Sequence, residues 1–339
     1  MQVRYDLILT LAYYFCGCFY GLLANYVAFE KRANHVNRRF LWLVVSLALW
    51  AFSFSFANFA PTAEESAFWR SMSTFGWGTF YSLIFHFILA LTHTKIPVKK
   101  WLLYLFIYLP AVANIILHAP FGIIAEAQYD MVPTAWGWFN AYPVDIWGIL
   151  FNIYYFIFSI LSVAVLFVWY RKIRGSGIKR QGLIFIVSIF VPFVLGTITD
   201  TFSHVLNRQF PDFAVIFIMV PTLVILFSMR KFGYFFNIQE NESPNFDGNI
   251  LSSSARSRLF VTESFLIIAG ALLLFVISYF GIGNPLIPEI IYTLTLIFIG
   301  NLIGYVPRVF KNRATQDTLF VLANSIILPF FLLRYSFIG

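Results

Sequence analysis

Charged residues are scarce in this chain: Asp, Glu, Lys and Arg together account for 11% of its 339 residues. A soluble domain usually carries about 25%, so the composition excludes a soluble globular protein. Cysteine is also rare, with only Cys16 and Cys18 present. Two positions that are two residues apart on a helix point to different faces. We therefore expect neither a disulfide nor a shared metal site, and we interpret both thiols as small apolar fillers.

Sequence signatures of catalysis and of cofactor binding are absent as well. No Gly-x-Ser-x-Gly, His-Glu-x-x-His, phosphate-binding loop or dinucleotide-binding pattern occurs. The five histidines lack the spacing of a zinc site, and His86, the deepest of them, is interpreted as a neutral, hydrogen-bonded core residue. All eight lysines lie between the apolar runs, which excludes a retinal Schiff base. We therefore expect no enzyme activity, no metal and no cofactor.

Apolar residues, by contrast, make up 60% of the chain. A helix needs roughly 20 residues to cross about 30 Å of hydrocarbon, and apolar segments of about that length recur along the sequence. We interpret ten of them as spans: 7–29, 40–59, 71–92, 101–118, 145–169, 181–204, 213–229, 259–280, 290–306 and 318–337. The predicted fold class is an all-α integral membrane protein, a bundle of about ten transmembrane helices.

Basic residues are distributed unequally between the predicted loops. Nineteen of the 23 Lys and Arg residues follow odd-numbered spans, and the opposite side has only Arg4, Arg70, Arg208 and Arg334. Because cytoplasmic loops are enriched in Lys and Arg, the N-terminus is predicted to lie outside. The net charge of +8 is then explained by loops that face anionic membrane lipids, without a nucleic-acid partner. Ten spans would end outside, so we expect either a last helix that does not cross or a longer native chain.

A polar stretch, residues 233–257, divides the predicted spans into seven and three. Its Asn, Ser, Gly and Pro content is typical of a linker. We therefore predict a seven-helix region over 1–232, a cytoplasmic linker over 233–257 and a three-helix membrane region over 258–339. The long external loop, 119–144, is interpreted either as a short β-hairpin or lid, or as part of the interfacial aromatic belt.

The segment GTITDTFSH, residues 196–204, carries the polar groups of the sixth span. Asp200 and His204 are neighbours one turn apart on a helix, with Thr197 on the same face. One interpretation is the polar end of a ligand pocket or a proton-sensitive switch, since histidine titrates near physiological pH. The other is a solvated helix end whose surface ion pair contributes about 0–1 kcal/mol to stability. The depth of Asp200 in the membrane decides between them.

Further candidate ligand-binding residues lie near the same predicted membrane face. Asp145 and Asn152 share one stripe of the fifth span, and an ordinary interhelical hydrogen bond is the alternative explanation of Asn152. Trp136, Trp138 and Tyr142 cluster at the end of the external loop. An external ligand would arrive there, so these aromatic residues complete the predicted site.

Several stretches of the first two thirds of the chain resemble a known family. They are RRFLWLVVSLALWAF (38–52), PTAWGWF (133–139), LFNIYYF (150–156), TITDTFSHVLNRQFPD (197–212) and MRKFGYF (229–235). Their order and spacing resemble the N-terminal seven-helix sensory region of bacterial sensor histidine kinases and diguanylate cyclases, over roughly residues 1–235. The resemblance implies an input module of the bacterial inner membrane, in which seven helices sense a ligand or membrane state and signal to a cytoplasmic output domain.

The chain departs from this family after the seventh span. A kinase or cyclase module usually follows there, whereas three apolar spans follow here, and the chain has no Gly-Gly dipeptide, phosphoacceptor histidine pattern or ATP lid. The leading hypothesis is a sensory module that binds a small, apolar or lipid-like ligand in an outward-facing pocket between spans 3, 5, 6 and 7. It would act with a cytoplasmic signalling partner or as a homodimer. The competing hypothesis is a transporter or channel for a small solute, proton-coupled through Asp200 and His204.

Overall fold

The computed structural model describes residues 5–28, 35–124, 128–141, 145–172, 176–201 and 211–232. The helices are α1 (Tyr5–Ala28), α2 (His35–Phe59), α3 (Ala63–Met72), α4 (Thr74–Leu91), α5 (Lys100–His118), α6 (Ile146–Lys172), α7 (Ser176–Gly196), α8 (Ala214–Phe217) and α9 (Met219–Phe232). Two strands, β1 (Met131–Thr134) and β2 (Gly137–Asn140), lie between α5 and α6. Residues 1–20 and 34–238 form one compact unit, and the packing described below is internal to it.

The prediction of a helical membrane protein is confirmed. Five helical segments of the described residues are long and apolar enough to cross a membrane: His35–Phe59, Ala63–Leu91, Lys100–His118, Ile146–Lys172 and Gly182–Asp200. The predicted linker and the last three spans lie outside the described residues. The count of ten helices, the outside N-terminus and the domain boundaries therefore stay predictions.

Helix α2 forms the centre of the compact unit. Its apolar stretch is 89% buried, and it packs against α3 and α4. The approach to α4 is close because Gly76 faces α2: a Cβ atom at this position would lie 2.5 Å from Trp50 Cβ and 2.6 Å from the Ser46 carbonyl oxygen. By contrast, α5 and α7 expose large apolar side chains such as Leu109 and Phe190, as expected of helices that face lipid.

His86 joins three helices through its two ring nitrogens. Its Nε2 accepts a hydrogen bond from Arg39 Nε at 2.7 Å, and its Nδ1 lies 2.6 Å from the Tyr108 hydroxyl. Since the guanidinium only donates, Nδ1 carries the proton of a neutral imidazole. The interpretation of His86 as a hydrogen-bonded core residue is confirmed. Cys16 and Cys18 are likewise free and buried, as predicted.

The loop between α5 and α6 contains a β-hairpin, one of the two alternatives that the sequence predicts. Strands β1 and β2 are antiparallel, and the hairpin lies against α2 and α3. Gly137 has a φ of +101°, and a Cβ atom there would lie 2.2 Å from Asn58 Oδ1. Only glycine fits both the backbone conformation and the space. Trp138 Nε1 donates to the Ala60 carbonyl oxygen at 2.7 Å, which fixes the hairpin to the end of α2.

The third predicted span, 71–92, corresponds to α4, but a helix that precedes it is missed by the sequence-based prediction. Helix α3 already begins at Ala63, capped by the Thr62 hydroxyl, and a break at Ser73 separates it from α4. The sequence of α3, AEESAFWRSM, contains three charged residues, so hydropathy alone assigns it to a loop. This short polar helix carries Arg70 into the interior, where Arg70 is 7% exposed.

Candidate functional site

The described part of the chain contains a cavity of about 240 Å³. The sequence predicts a ligand pocket between spans 3, 5, 6 and 7. Residues of α4, α6, α7 and α8 line this cavity, and residues of α2 and α3 line it as well; that the cavity binds a ligand stays a prediction. Its aromatic lining consists of Trp50, Phe54, Trp77, Tyr81, Phe151, Tyr155 and Phe193. Its polar lining consists of Arg70, Ser73, His118, Gln128, Tyr129, Asn140, Asp145, Asn152, Asp200 and Asp212. The cavity therefore combines an apolar body with several polar groups, as ligand pockets usually do.

A buried ion pair closes one side of the cavity. Arg70 Nη1 donates to Asp212 Oδ2, and the two side chains are 8% and 12% exposed. Arg70 Nη2 donates to the Trp138 carbonyl oxygen at 3.2 Å, and the guanidinium carbon lies 4.1 Å from the centre of the Phe54 ring. Loss of one partner would leave the other charge buried and uncompensated.

Residues 212–215, here called the anchor segment, connect the cavity with α8 and α9. The Tyr13 hydroxyl donates to the Asp212 carbonyl oxygen at 2.9 Å. The Tyr20 hydroxyl donates to the Val215 carbonyl oxygen at 2.6 Å. Two tyrosines of α1 therefore hold the backbone of this segment, while the side chain of Asp212 lines the cavity.

Asp200 binds the anchor segment from the other side. The α-helix ends at Gly196, and a π-helical turn, Thr197–Thr201, carries Asp200, whereas the sequence predicts an α-helix through residue 204. The carboxylate of Asp200 accepts from the Ala214 amide at 3.2 and 3.3 Å and from the Thr199 hydroxyl at 2.6 Å. Asp200 lines the cavity. His204 lies outside the described residues, so its pairing with Asp200 stays a prediction.

Thr197 has a different position from the one that the sequence predicts. Its hydroxyl is hydrogen-bonded to the Tyr155 hydroxyl and donates to the Phe193 carbonyl oxygen at 2.6 Å. Thr197 therefore fastens α7 to α6 behind the cavity wall, and its partner Tyr155 is the residue that lines the cavity.

Asp145 and Asn152 both line the cavity. Asp145 also caps α6, because its Oδ1 accepts from the Gly148 amide at 2.8 Å. Its Oδ2 accepts from Gln128 Nε2 at 2.7 Å. Among the residues that the structure describes, no hydrogen bond joins the Asn152 side chain to another helix, so the interhelical bond considered for Asn152 is not found there.

The three predicted aromatic residues of the loop between α5 and α6 do not lie together at the cavity. Trp136 and Trp138 belong to the hairpin, and neither lines the larger cavity; they border a much smaller cleft beside Arg70 and Asp212. The Trp136 ring lies 4.9 Å from that of Tyr5, measured between centroids. Tyr142 lies outside the described residues.

The segment before the hairpin covers the cavity with Tyr129. The Tyr129 hydroxyl donates to the His118 carbonyl oxygen at 3.2 Å and lies 3.3 Å from the Thr74 hydroxyl. Burial raises the pKa of Tyr129 to about 12, so this residue is a neutral hydroxyl at physiological pH.

Most of the lining residues are missed by the sequence-based prediction, among them Trp50, Arg70, His118 and Asp212. Arg70 entered the charge count as an external residue, and Asp212 stands in a polar loop beside Pro211. A charged residue inside an apolar span is usually a candidate for function, but Arg70 and Asp212 both lie outside the predicted spans. The scarcity of basic residues on this predicted membrane face is the available signal for Arg70.

Among the described residues, no group of three or more His, Cys, Asp or Glu side chains is arranged to hold a metal ion. Comparison with known families shows which family the chain is similar to. A family described as the N-terminal 7TM region of histidine kinase matches residues 12–238, about two thirds of the chain. No curated protein and no solved structure matches the chain.

Proposed function

Because the chain belongs to the family described as the N-terminal 7TM region of histidine kinase, a sensory input module of multi-pass membrane proteins, we propose that its cavity binds a small ligand. The anchor segment then transmits the presence of the ligand to α9. The ligand enters from the outer face of a bacterial inner membrane. The signal leaves through α9, which ends at Phe232, toward a cytoplasmic output domain or partner.

One observation carries this proposal: the lining of the cavity includes Asp212, Ala214 and Ile218, which lie in and beside α8, directly before the last described helix, α9. Four contacts hold the anchor segment in place, from Tyr13, Tyr20, Arg70 and Asp200. Two of these four, Arg70 and Asp200, are themselves lining residues. A ligand in the cavity can therefore contact two of the four residues that hold this segment; the relay requires that these contacts differ between the occupied and the empty cavity.

Filling the cavity with a side chain tests the relay. We expect Asn152→Trp, in residues 1–238 fused to the cytoplasmic part of a histidine kinase, to change the autophosphorylation rate by about fivefold or more, which corresponds to a coupling free energy of about 1 kcal/mol. The direction of the change shows which signalling state the filled cavity favours. The measurement is autophosphorylation of the fusion in nanodiscs, normalised to folded protein.

The matched control is Ile153→Trp, on the next residue of the same helix. Ile153 is 49% exposed on the outer surface of the bundle and does not line the cavity, so its substitution should leave the rate unchanged. Equal rates in Asn152→Trp, Ile153→Trp and the parent fusion contradict the relay. Solute flux through liposomes that Asn152→Trp abolishes would instead indicate a transporter.

A further inference from the structure

One end of the compact unit is basic. His86, near the end of α4, contacts Arg39 at the start of α2 and Tyr108 in the first half of α5, so these helix ends lie together. The basic residues that the structure describes there and in the loop between α4 and α5 are Arg38, Arg39, Lys95, Lys99 and Lys100. The sequence has no Asp or Glu between residues 31 and 63 or between residues 66 and 125. No acid of α2, α4 or α5 therefore balances the charge of this region, here called the basic end.

Arg39 is held in one orientation at the basic end. Its Nε donates to His86 Nε2 at 2.7 Å, and its Nη1 donates to the His35 carbonyl oxygen at 3.2 Å. His86 is itself fixed, because its Nδ1 lies 2.6 Å from the Tyr108 hydroxyl. A guanidinium carries five N–H groups. After these two hydrogen bonds, one N–H of Nη1 and both of Nη2 are left for another acceptor.

The protein does not neutralise the charge of Arg39. His86 accepts a hydrogen bond from Arg39 and is a neutral imidazole. Among the residues that the structure describes, no carboxylate pairs with Arg39, whereas Arg70 is paired with Asp212. Arg39 is half-buried, so water screens its charge only in part. A fixed guanidinium with three remaining donors is suited to an oxyanion, which accepts charge-assisted hydrogen bonds from its planar fork.

Apolar side chains beside Arg39 are exposed. Trp42 follows Arg39 by three residues on the same face of α2 and is 43% exposed. Tyr104, whose ring lies 5.4 Å from that of His86 between centroids, is 44% exposed. Exposed residues at helical spacing continue along one face of α5: Leu102, Leu105, Leu109, Val112 and Ile116. An apolar surface of the length of a membrane span therefore begins at the basic end.

This combination favours a lipid over a soluble anion. A soluble anion would satisfy Arg39 and leave the apolar face of α5 uncovered, whereas a phospholipid carries its phosphate and its acyl chains in one molecule. Basic pockets between transmembrane helices bind anionic lipid headgroups, and tryptophan and tyrosine are enriched at the level of the headgroups. Trp42 and Tyr104 have this position relative to Arg39.

We propose that the basic end is a binding site for an anionic phospholipid, whose phosphate accepts hydrogen bonds from Arg39 and whose acyl chains lie along α5. Lys100 precedes Tyr104 by one turn on the same face of α5 and adds a second positive charge. The bound lipid joins the start of α2 to the start of α5. The site is independent of the proposed function, because Arg39, His86, Lys100 and Tyr104 do not line the cavity.

Native mass spectrometry of the full chain in detergent micelles tests the lipid class. The probes are dioleoylphosphatidylglycerol, which is an anion, and dioleoylphosphatidylcholine, which is zwitterionic and has the same acyl chains. We expect phosphatidylglycerol to bind about tenfold more tightly, in the range of charge-assisted hydrogen bonds. Equal Kd values overturn the proposal. An excess of inorganic phosphate should displace no more lipid than sodium chloride of the same ionic strength; specific displacement by phosphate would indicate a soluble-anion site and also overturn it.

Arg39→Gln tests the residue, because the amide keeps a donor for His86 and removes the charge. We expect the Kd of phosphatidylglycerol to rise to within about twofold of that of phosphatidylcholine, whose own Kd is unchanged. Arg39→Lys keeps the charge and should bind phosphatidylglycerol more tightly than Arg39→Gln, but less tightly than the parent, because lysine lacks the planar fork. The control is Arg171→Met, at an exposed position of α6, which should keep the preference of the parent. A preference that survives in Arg39→Gln, or that Arg171→Met abolishes, overturns the assignment to Arg39.

Fluorescence quenching locates the lipid without changing Arg39. Brominated acyl chains quench the tryptophans that they touch, and Trp42 and Trp101 are exposed at the basic end. At equal mole fraction in nanodiscs, we expect brominated phosphatidylglycerol to quench the parent more than brominated phosphatidylcholine does. Trp42→Phe combined with Trp101→Phe should remove most of this difference, and Trp136→Phe, in the hairpin, should preserve it. Equal quenching by the two lipids, or a difference that persists in the double variant, contradicts a lipid at the basic end.

Discussion

Arg70→Met is expected to lower the free energy of unfolding by about 3–5 kcal/mol, the usual cost of removing one partner of a buried ion pair. The substitution leaves the Asp212 carboxylate buried at 12% exposure without its counter-ion. It also removes the hydrogen bond to the Trp138 carbonyl oxygen and the contact with Phe54. The measurement is denaturant unfolding of the full chain in detergent micelles, followed by intrinsic fluorescence.

A second substitution shows whether the unpaired charge is the cause. Arg70→Met combined with Asp212→Leu replaces the pair by apolar side chains and should regain most of the lost stability. Arg171→Met removes an exposed arginine at the end of α6 and should change the stability by no more than about 0.5 kcal/mol. A single Arg70→Met variant as stable as the parent would contradict the buried pair.

Gly76→Ala is expected to lower the free energy of unfolding by about 2–3 kcal/mol, which is the upper part of the range for an overpacked core. The added methyl group would lie 2.6 Å from the Ser46 carbonyl oxygen and 2.7 Å from Trp50 Cα. These are backbone atoms of α2 that no side-chain rotation can move away. Helices α2 and α4 must therefore separate, and Trp50 moves with α2. Thermal unfolding in the same micelles measures the effect.

Gly78→Ala provides a matched control two residues along the same helix. There the new methyl group would meet Thr74 Cγ2 at 3.1 Å and Asn114 Cβ at 3.2 Å, so a small adjustment suffices. Alanine also favours the helix over glycine by up to about 1 kcal/mol. We expect Gly78→Ala to stay within about 1 kcal/mol of the parent, and equal losses at both glycines would contradict the close approach at Gly76.

The membrane class and most of the described spans could be predicted because they depend on local sequence. Runs of about 20 apolar residues are needed to cross hydrocarbon, and their number and length are read directly from the chain. Helix α3 was missed for the same reason. Its charged residues lower its hydropathy below that of a membrane span. The Thr62 cap followed by Glu65 nevertheless indicates the start of a helix. The helices outside the described residues stay predictions.

The candidate site could be predicted in part. Asp145 and Asp200 are polar residues near the ends of apolar runs, and Asn152 is a polar residue inside one; all three line the cavity, and their role in ligand binding stays a prediction. The pairing of Arg70 with Asp212 spans 142 positions of the sequence, and no local spacing encodes such a contact.

The relay from the cavity to α9 is tested most directly by a distance measurement. Spin labels at Leu102, at the start of α5, and at Leu223, in α9, occupy exposed positions, in a background with Cys16→Ala and Cys18→Ala. Double electron–electron resonance then gives the distance distribution between α5 and α9 in nanodiscs. We predict a shift of about 1–2 Å, the size of helix movements in known switches, when Asn152→Trp fills the cavity, and no shift for Ile153→Trp. Identical distributions in both variants and the parent would contradict the account.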